Sequence, residues 1–280
     1  MTVLVIGARG NIGSRVVARL HAEGQRVRAA ARDVRTLNAP AGVETVELDM
    51  TASDGFENAT KGVDSVFLYA TRGDTSPFLA SARTAGVRYA VLLSSPASYE
   101  AAEHRGPIGR IHRLNEDRLA ASGIEHTVLY PSWLATNARR DWGAAIRAGQ
   151  PVELVHPASR ISPVHPGDVA EVATELLSHG THRSRLQIVT GPASMRLDEA
   201  VAVVGATLGR AVEVRTISRE EALARREPWL SEEVLATLLD SAAAGVGHPA
   251  PLTNTVERIT GRPARTLREW VAEQRGEFEA

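Results

Sequence analysis

The sequence contains no cysteine, which excludes disulfide bonds, thiolate nucleophiles and thiolate metal sites. Lysine is nearly absent as well: Lys61 is the only lysine among 32 basic residues, so any reaction that needs a lysine must use it. The formal net charge of -1 gives no electrostatic preference for nucleic acid or for a membrane surface. No apolar run reaches membrane-spanning length and the first residues carry no signal-peptide pattern, so we expect a cytoplasmic protein. With 280 residues, 43% of them hydrophobic, the chain can bury the core of an enzyme-sized fold.

Three glycines are clustered near the start of the chain, directly after a predicted strand. Gly7, Gly10 and Gly13 directly follow an apolar stretch of strand type at residues 3–6, and a helical pattern begins at once after them. Gly7 permits a sharp turn, Gly10 leaves room for a pyrophosphate, and Gly13 lets the helix pack on the strand. Free amides at the helix start would bind the phosphates. This context predicts a dinucleotide-binding loop formed by Gly7, Arg9, Gly10, Asn11, Ile12 and Gly13.

Strand and helix patterns alternate through the first half of the chain. Strands are predicted at residues 3–6, 27–31, 43–48, 63–69, 87–93 and 124–130. Strands joined by helices form right-handed crossovers, so we predict an α/β fold with a Rossmann-type, doubly wound parallel sheet. Its ligand would lie at the carboxyl ends of the strands. We assign residues 1–150 to this NAD(P)-binding domain, to which a strand near 186–190 returns, and residues 151–280 to a smaller, mainly helical substrate-binding lobe.

Short motifs are spread along nearly the whole chain. They are Gly7-Ala8-Arg9-Gly10-Asn11-Ile12-Gly13, Ala31-Arg32-Asp33, Leu48-Asp49, Leu93-Ser94-Ser95, Ser122-Gly123-Ile124, Tyr130-Pro131-Ser132-Trp133 and Thr260-Gly261-Arg262-Pro263. Together they resemble the NmrA-like, NAD(P)H-binding group of atypical short-chain dehydrogenases/reductases. The resemblance implies the fold and a nicotinamide dinucleotide. It leaves the activity open, because that group contains both reductases and redox-sensing regulators that bind nucleotide without turnover.

Further residues are expected in the cofactor site. They are Asp49, Met50, Ala70, Thr71, Ser94 and Pro131. By the family resemblance, Asp49 would lie beside the adenine with Met50 next to it, although Asp49 can instead be a helix-capping carboxylate before Ser53. Ala70 and Thr71 would line the pocket near the cofactor ribose. These are backbone roles, so their side chains carry little information.

The end of the second strand bears on the choice of nucleotide. An acidic residue there would bind the ribose 2′-hydroxyl of NAD, whereas an arginine would bind the 2′-phosphate of NADP. Arg32 and Asp33 are adjacent at this place, and Arg9 in the glycine loop can reach the same phosphate. Because guanidinium groups fork onto phosphate oxygens, two arginines favour NADP, with NADPH preferred to NADH. The alternative is a solvated Arg32 and a helix-capping Asp33.

The usual proton donor of short-chain dehydrogenases is missing. A typical member uses a tyrosine followed four residues later by a lysine. The residues four positions after the tyrosines are Gly73, Leu93, Glu103 and Leu134. Lys61 precedes the fourth strand, away from the expected site, so the standard pair is absent.

A polar cluster after the fifth strand offers substitutes for that pair. It comprises Ser94, Ser95, Tyr99, His104 and His112. His112 lies on the predicted helix 107–122, with Glu116 one turn later on the same face. A histidine held by a carboxylate can donate a proton near neutral pH, although the two can also form a solvated charge pair. Tyr99 and Ser95 are the other candidate catalytic residues, but loop serines commonly bond only the backbone.

Residues after the sixth strand are candidate substrate contacts. Trp133 can form an apolar wall for the substrate or pack in the core, and Asn137 can contact the substrate or cap a helix. His156 and His165 lack the spacing and the neighbouring carboxylates of a metal site, so we expect no metal.

Two functions fit these features. One is an NADPH-dependent oxidoreductase that reduces a carbonyl, imine, quinone or activated C=C in a small organic molecule. The other is a nucleotide-binding redox sensor or a non-redox enzyme on the same fold. The histidine, serines and tyrosine after the fifth strand favour the enzyme. No segment resembles a DNA-reading helix with a basic face, so we expect no nucleic-acid partner. A monomer and a homodimer are both compatible with the sequence.

Overall fold

The computed structural model describes residues 1–52, 54–102 and 105–279 of an α/β chain. Its strands are β1 (Thr2–Ile6), β2 (Arg26–Ala31), β3 (Glu44–Glu47), β4 (Ser65–Tyr69), β5 (Tyr89–Leu93), β6 (Glu125–Pro131), β7 (Val152–Leu154), β8 (Arg160–Ile161), β9 (Leu186–Val189), β10 (Met195–Arg196) and β11 (Val214–Thr216). Its α-helices are α1 (Gly13–Ala22), α2 (Phe56–Thr60), α3 (Ser76–Thr84), α4 (Pro107–Ala121), α5 (Thr136–Arg147), α6 (Pro166–His179), α7 (Leu197–Leu208), α8 (Arg219–Ala224), α9 (Glu232–Ala244), α10 (Thr255–Thr260) and α11 (Leu267–Glu273). Short 3₁₀ helices span Val34–Thr36, Pro96–Tyr99 and Arg275–Glu277. Across the described residues, no helix has both the length and the apolar character needed to cross a membrane.

The main sheet has seven strands in the order β3-β2-β1-β4-β5-β6-β9. The pairs from β3 through to β6 are all parallel. This confirms the predicted Rossmann-type, doubly wound sheet. The chain changes direction across the sheet between β1 and β4, and such a switch point opens a ligand crevice outside the carboxyl ends of the strands.

The central strands are buried on both faces because helices cover them. All five residues of β1 are buried, which explains why that stretch is apolar throughout instead of alternating. The helix α1 turns Val16, Val17 and Leu20 into the core. This packing fixes the end of β1, and with it the glycine loop, against a rigid support.

The chain forms two compact units that differ from the predicted domains. The first comprises Met1–Pro131, Gly167–Ile188 and Arg258–Gly261, and the second Ser132–Pro166, Val189–Glu257 and Arg262–Ala280. The first boundary between the units lies after Pro131, and not at residue 150 as predicted, for two reasons. The helix α5 packs its Trp142 and Ile146 into a core shared with α7 and α11 of the second unit. The helix α6 lies in the first unit, where its Glu171 binds Arg19 of α1 at 2.8 Å.

Candidate cofactor and active site

The glycine loop after β1 is packed too closely for side chains. Gly7 has a φ of +73°, and a Cβ there would lie 2.8 Å from the ring of Tyr69. A Cβ on Gly13 would clash with the carbonyl oxygen of Gly7. The amide of Gly10 donates to that same carbonyl at 2.8 Å. The loop thus forms an open backbone cradle, the surface that a pyrophosphate needs.

The start of α1 is suited to an anion. Ile12 precedes the helix and provides no capping oxygen, and the first turn contains no acidic residue. The positive end of the helix dipole and the first amides are therefore left for a negatively charged ligand. The cradle and this helix end together fit a dinucleotide.

A cavity of about 1000 Å³ runs along the carboxyl ends of the strands, large enough for such a ligand. The predicted cofactor residues that line it are Gly7, Arg9, Gly10, Asn11, Ile12, Gly13, Arg32, Asp49, Met50 and Thr71. The lining also includes residues that were not predicted: Ile6, Ala30, Ala31, Thr36, Leu48, Thr51, Phe67, Tyr69 and Leu93. Most of these are apolar strand ends, which carry no distinctive motif.

The other three predicted cofactor residues lie at neighbouring strand ends. The amide of Ala70, just after β4, donates to the carbonyl of Leu93 at 3.2 Å. The amide of Ser94, just after β5, donates to the carbonyl of Leu129 at 2.9 Å. Pro131 is the buried last residue of β6. Their contact with a cofactor stays a prediction.

Two arginines line one part of the cavity. Arg9 and Arg32 are exposed, and neither forms a hydrogen bond or ion pair with the residues described here. Asp33 behaves differently, because Arg35 holds its carboxylate through Nε at 2.9 Å, Nη2 at 3.0 Å and the backbone amide at 3.0 Å. Arg35 thereby keeps the pKa of Asp33 below its usual value. Asp33 caps the 3₁₀ helix Val34–Thr36, as the alternative interpretation of this residue expected.

Asp49 also has a local structural role. Its carboxylate accepts from the amide and the hydroxyl of Thr51 at 2.8 and 2.7 Å, and these bonds lower its pKa. Ser53, which the capping alternative invoked, lies outside the described residues. Asp49 therefore closes its own turn while lining the cavity.

A buried hydrogen-bonded cluster lies at the carboxyl end of β5. The Ser94 hydroxyl lies 3.1 Å from Nδ1 of His112 and donates to Oε1 of Glu116. Ser94 is only 4% exposed and Glu116 only 8%. The sequence predicted a direct contact between His112 and Glu116, whereas the structure places the Ser94 hydroxyl between them. His104, another member of the predicted cluster, lies outside the described residues.

The hydrogen bonds of this cluster constrain the histidine tautomer. Ser94 has a single proton, and because that proton goes to Glu116, the Ser94 oxygen accepts from His112 Nδ1–H. The imidazole therefore gains and loses its proton at Nε2. Burial lowers the pKa of His112, while the charge of Glu116 acts in the opposite direction. The cluster can therefore hold an imidazolium whose charge is balanced through a serine.

The tyrosine nearest to this cluster is a poor acid. Burial, reinforced by the neighbouring Glu116, raises the pKa of Tyr130 well above its usual range. Ser98 donates to the Tyr130 hydroxyl at 3.3 Å. In a typical short-chain dehydrogenase a lysine lowers the pKa of the tyrosine. Here the Glu116 carboxylate has the opposite effect, so the tyrosine pKa is shifted up and not down.

The other two catalytic candidates occupy the loop after β5. The Ser95 hydroxyl accepts from the amide of Ala97 at 3.3 Å and caps the 3₁₀ helix Pro96–Tyr99, the backbone role that the sequence left open. Tyr99 is 60% exposed, with its ring edge against Tyr130 at a centroid distance of 5.0 Å. Catalytic roles for Ser95 and Tyr99 stay predictions.

Two residues of α4 connect the loop after β4, which lines the cofactor cavity, to the helix that carries His112. Neither residue was singled out from the sequence. The buried Asn115 amide donates to the carbonyl of Thr71 at 2.8 Å. Arg118 donates to the carbonyl of Gly73 at 2.9 Å. The loop after β4 is thus attached to the helix that carries His112. Asn115 lies three residues after His112, and that helical spacing was the available signal.

In the second unit, Trp133 stacks on Trp142 with ring centroids 5.3 Å apart. Asn137 is not a helix cap, because α5 begins at Thr136 and Ala135 is its N-cap residue. His165 lies 3.1 Å from Glu273. Within residues 1–52, 54–102 and 105–279, no group of three or more histidines and carboxylates is arranged to hold a metal ion.

Comparison with known proteins agrees with this geometry. The family model described as NAD(P)H-binding matches residues 7–180. The chain is 32% identical to (4-alkanoyl-5-oxo-2,5-dihydrofuran-3-yl)methyl phosphate reductase of Streptomyces griseus, over 99% of each chain. It is 29% identical to NAD(P)H azoreductase of Xenophilus azovorans, again over 99% of each. In structure it resembles the NADPH-dependent quinone oxidoreductase of Escherichia coli complexed with NADPH, with a TM-score of 0.81, 21% identity, and coverage of 97% and 99%. The chain therefore belongs to the NAD(P)H-binding family of NmrA-like, atypical short-chain dehydrogenases/reductases, and it is an oxidoreductase of that family.

Proposed function

We propose that the protein is an NADPH-dependent reductase of an activated double bond in a small organic molecule. One juxtaposition carries this proposal. Leu93 lines the cofactor cavity, and the next residue, Ser94, begins the buried cluster with His112 and Glu116. A nucleotide cavity and a proton-bearing group therefore meet at the end of one strand, β5.

The cavity residues have distinct tasks toward the nucleotide. The backbone of Gly7, Gly10 and Gly13, with the start of α1, would hold the pyrophosphate. Arg9 and Arg32 would fork onto the 2′-phosphate, which is the basis for preferring NADPH to NADH. The reduced nicotinamide supplies a hydride when it is bound.

His112 would supply the proton. Its protonated form is balanced through Ser94 by the buried Glu116 carboxylate, so Nε2–H is the acidic group. The lowered pKa of His112 means that this form is populated mainly below the ordinary histidine value of about 6.5. Proton delivery by His112 would therefore strengthen as the pH falls through that region.

The names of two relatives suggest the substrate class. One is named as a reductase of an alkanoyl-oxo-dihydrofuran methyl phosphate and the other as an azoreductase. From these names we infer that the reducible group is an electron-poor double bond. It would be either a C=C bond conjugated to a carbonyl or an N=N bond. A cytoplasmic location, a monomeric or homodimeric state, and substrate contacts by Trp133 and Asn137 complete the proposal.

Steady-state turnover tests this function. NADPH oxidation would be followed with a panel of unsaturated lactones, azo compounds, quinones and imines. We expect turnover on at least one conjugated substrate, and a loss of about 100-fold in kcat for His112→Gln. His126→Gln is the matched control, because among the described residues the imidazole of His126 has one hydrogen-bond partner, the nearby Ile124 carbonyl at 2.9 Å. Binding of NADPH without turnover on the whole panel would instead support a nucleotide-sensing regulator.

A further inference from the structure

The pairing of Asp33 with Arg35 has a consequence for nucleotide choice. Asp33 lies directly after Arg32 at the end of β2, where an acidic residue accepts from the ribose hydroxyls in NAD-binding proteins. A free carboxylate at this place would repel a 2′-phosphate. In this structure the carboxylate is held on both oxygens by one guanidinium.

The charges around the cavity show why this pairing matters. Among the lining residues, Arg9 and Arg32 are cationic, and Asp33 and Asp49 are anionic, so these four charges cancel. Arg35 adds one positive charge next to Asp33. Its guanidinium therefore converts a neutral surrounding into one with a net charge of +1, and a 2′-phosphate carries roughly two negative charges.

The geometry of Asp33 supports the same interpretation. Its Oδ1 also accepts from the Arg35 amide, and its backbone carbonyl accepts from the Thr36 hydroxyl at 2.7 Å. The carboxylate is thereby fixed to the 3₁₀ turn by three donors of one residue, Arg35. These bonds compete with any bond from Asp33 to a ribose hydroxyl.

From these contacts we infer that Arg35 is a specificity-determining residue: by neutralising and retaining Asp33, it removes the carboxylate that would select NADH and leaves Arg9 and Arg32 to select NADPH. The inference rests on the proposed function, because it concerns the same nucleotide site. It assigns to Arg35 an indirect role, through Asp33, and not a contact with the phosphate.

Binding measurements on a double-mutant cycle test this role. The dissociation constants of NADPH and NADH would be measured by nicotinamide fluorescence for wild type, Arg35→Ala, Asp33→Asn and the double variant. Arg35→Ala removes one positive charge from the surroundings of a 2′-phosphate that carries roughly two negative charges. Each such charge pair is worth a factor of a few in water, so we expect Arg35→Ala to weaken NADPH binding by up to about tenfold. NADH binding should stay unchanged or tighten. In the double variant, NADPH binding should return to within about threefold of Asp33→Asn.

The cycle separates the possible failures. A double variant as weak as Arg35→Ala would overturn the inference, because Arg35 would then act without Asp33. Equal loss of NADPH and NADH in Arg35→Ala would also overturn it, since that would indicate a disrupted loop. Arg140→Ala is the matched control, since it breaks a similar exposed Arg–Asp pair, to Asp141, in α5 of the second unit. If the wild type binds neither nucleotide, the proposed function itself is wrong. If the wild type binds NADPH and Arg35→Ala binds it with the same dissociation constant, only this inference is wrong.

Discussion

Replacing Glu116 by glutamine should move the pH profile of turnover to lower pH. Glutamine has nearly the same shape and can still accept the Ser94 hydroxyl bond, so the substitution removes the charge and keeps the contact. That charge opposes the effect of burial on His112, and its loss therefore lowers the pKa of His112 further. The protonated, proton-donating form of the imidazole is then populated only in more acidic solution.

The size of this shift follows from the geometry of the cluster. Nδ1 of His112 is 3.1 Å from the Ser94 oxygen, and the bond from Ser94 to Glu116 is shorter. The two charged groups are thus roughly 5 Å apart, which gives about 0.8 kcal/mol in water and about 3.3 kcal/mol at an effective dielectric constant of 20. Loss of this interaction destabilises the imidazolium, so the pKa of His112 should fall and the midpoint of the pH profile should move to lower pH with it.

The assay is the pH dependence of kcat for NADPH oxidation, measured together with the melting temperature. In wild type, turnover should rise as the pH falls through a pKa below about 6.5, because burial lowers that of His112. In Glu116→Gln the midpoint should move further down, with the melting temperature unchanged or raised, because a buried carboxylate is costly to desolvate. An unmoved midpoint, or one moved to higher pH, would show that the charge of Glu116 does not stabilise the protonated form of His112. A lower melting temperature with an unmoved midpoint would indicate a purely structural role.

Three further variants test the cavity and the donor. Gly13→Ala places a Cβ against the Gly7 carbonyl, so the dissociation constants of NADPH and NADH should both rise at least about tenfold; wild-type affinity would contradict the close packing of the loop. Asn115→Ala removes the bond to the Thr71 carbonyl, worth about 1 kcal/mol, so NADPH binding measured by fluorescence should weaken about fivefold; an unchanged affinity would show that this wall needs no support from α4. Tyr130→Phe should retain at least about half of the wild-type kcat, since the raised pKa of Tyr130 makes it a weak acid; a loss of about 100-fold would identify it as the donor.

The fold was predictable because its signals are local. Strand β1 is buried at every position, and its continuous apolar sequence reports that directly. The glycine spacing combines a turn, a close approach and a helix start within seven residues, which few other structures require. The lobe was predicted to be mainly helical, and its helix α9 extends to Ala244 because the alanines after Asp240 are strong helix formers.

The site was only partly predictable because its decisive contacts are not local. The i,i+4 spacing on α4 correctly placed His112 and Glu116 on one face, but Ser94, which joins them, is 18 and 22 residues away in sequence. The ring of Tyr69 against Gly7 likewise joins distant segments. Arg35 was different, since its place two residues after Asp33 was visible and only its geometry was missing.

Transfer of deuterium from the cofactor to the product would show whether the protein catalyses hydride transfer. The protein would be incubated with NADPH that carries deuterium at the transferable position of its nicotinamide, together with a conjugated substrate that supports turnover, and the reduced product would be analysed by mass spectrometry. We expect a product that contains one deuterium from the cofactor, formed far more slowly by His112→Gln than by His126→Gln. Tight NADPH binding with no labelled product from any substrate class would contradict this expectation and identify the chain as a nucleotide-binding protein without hydride transfer.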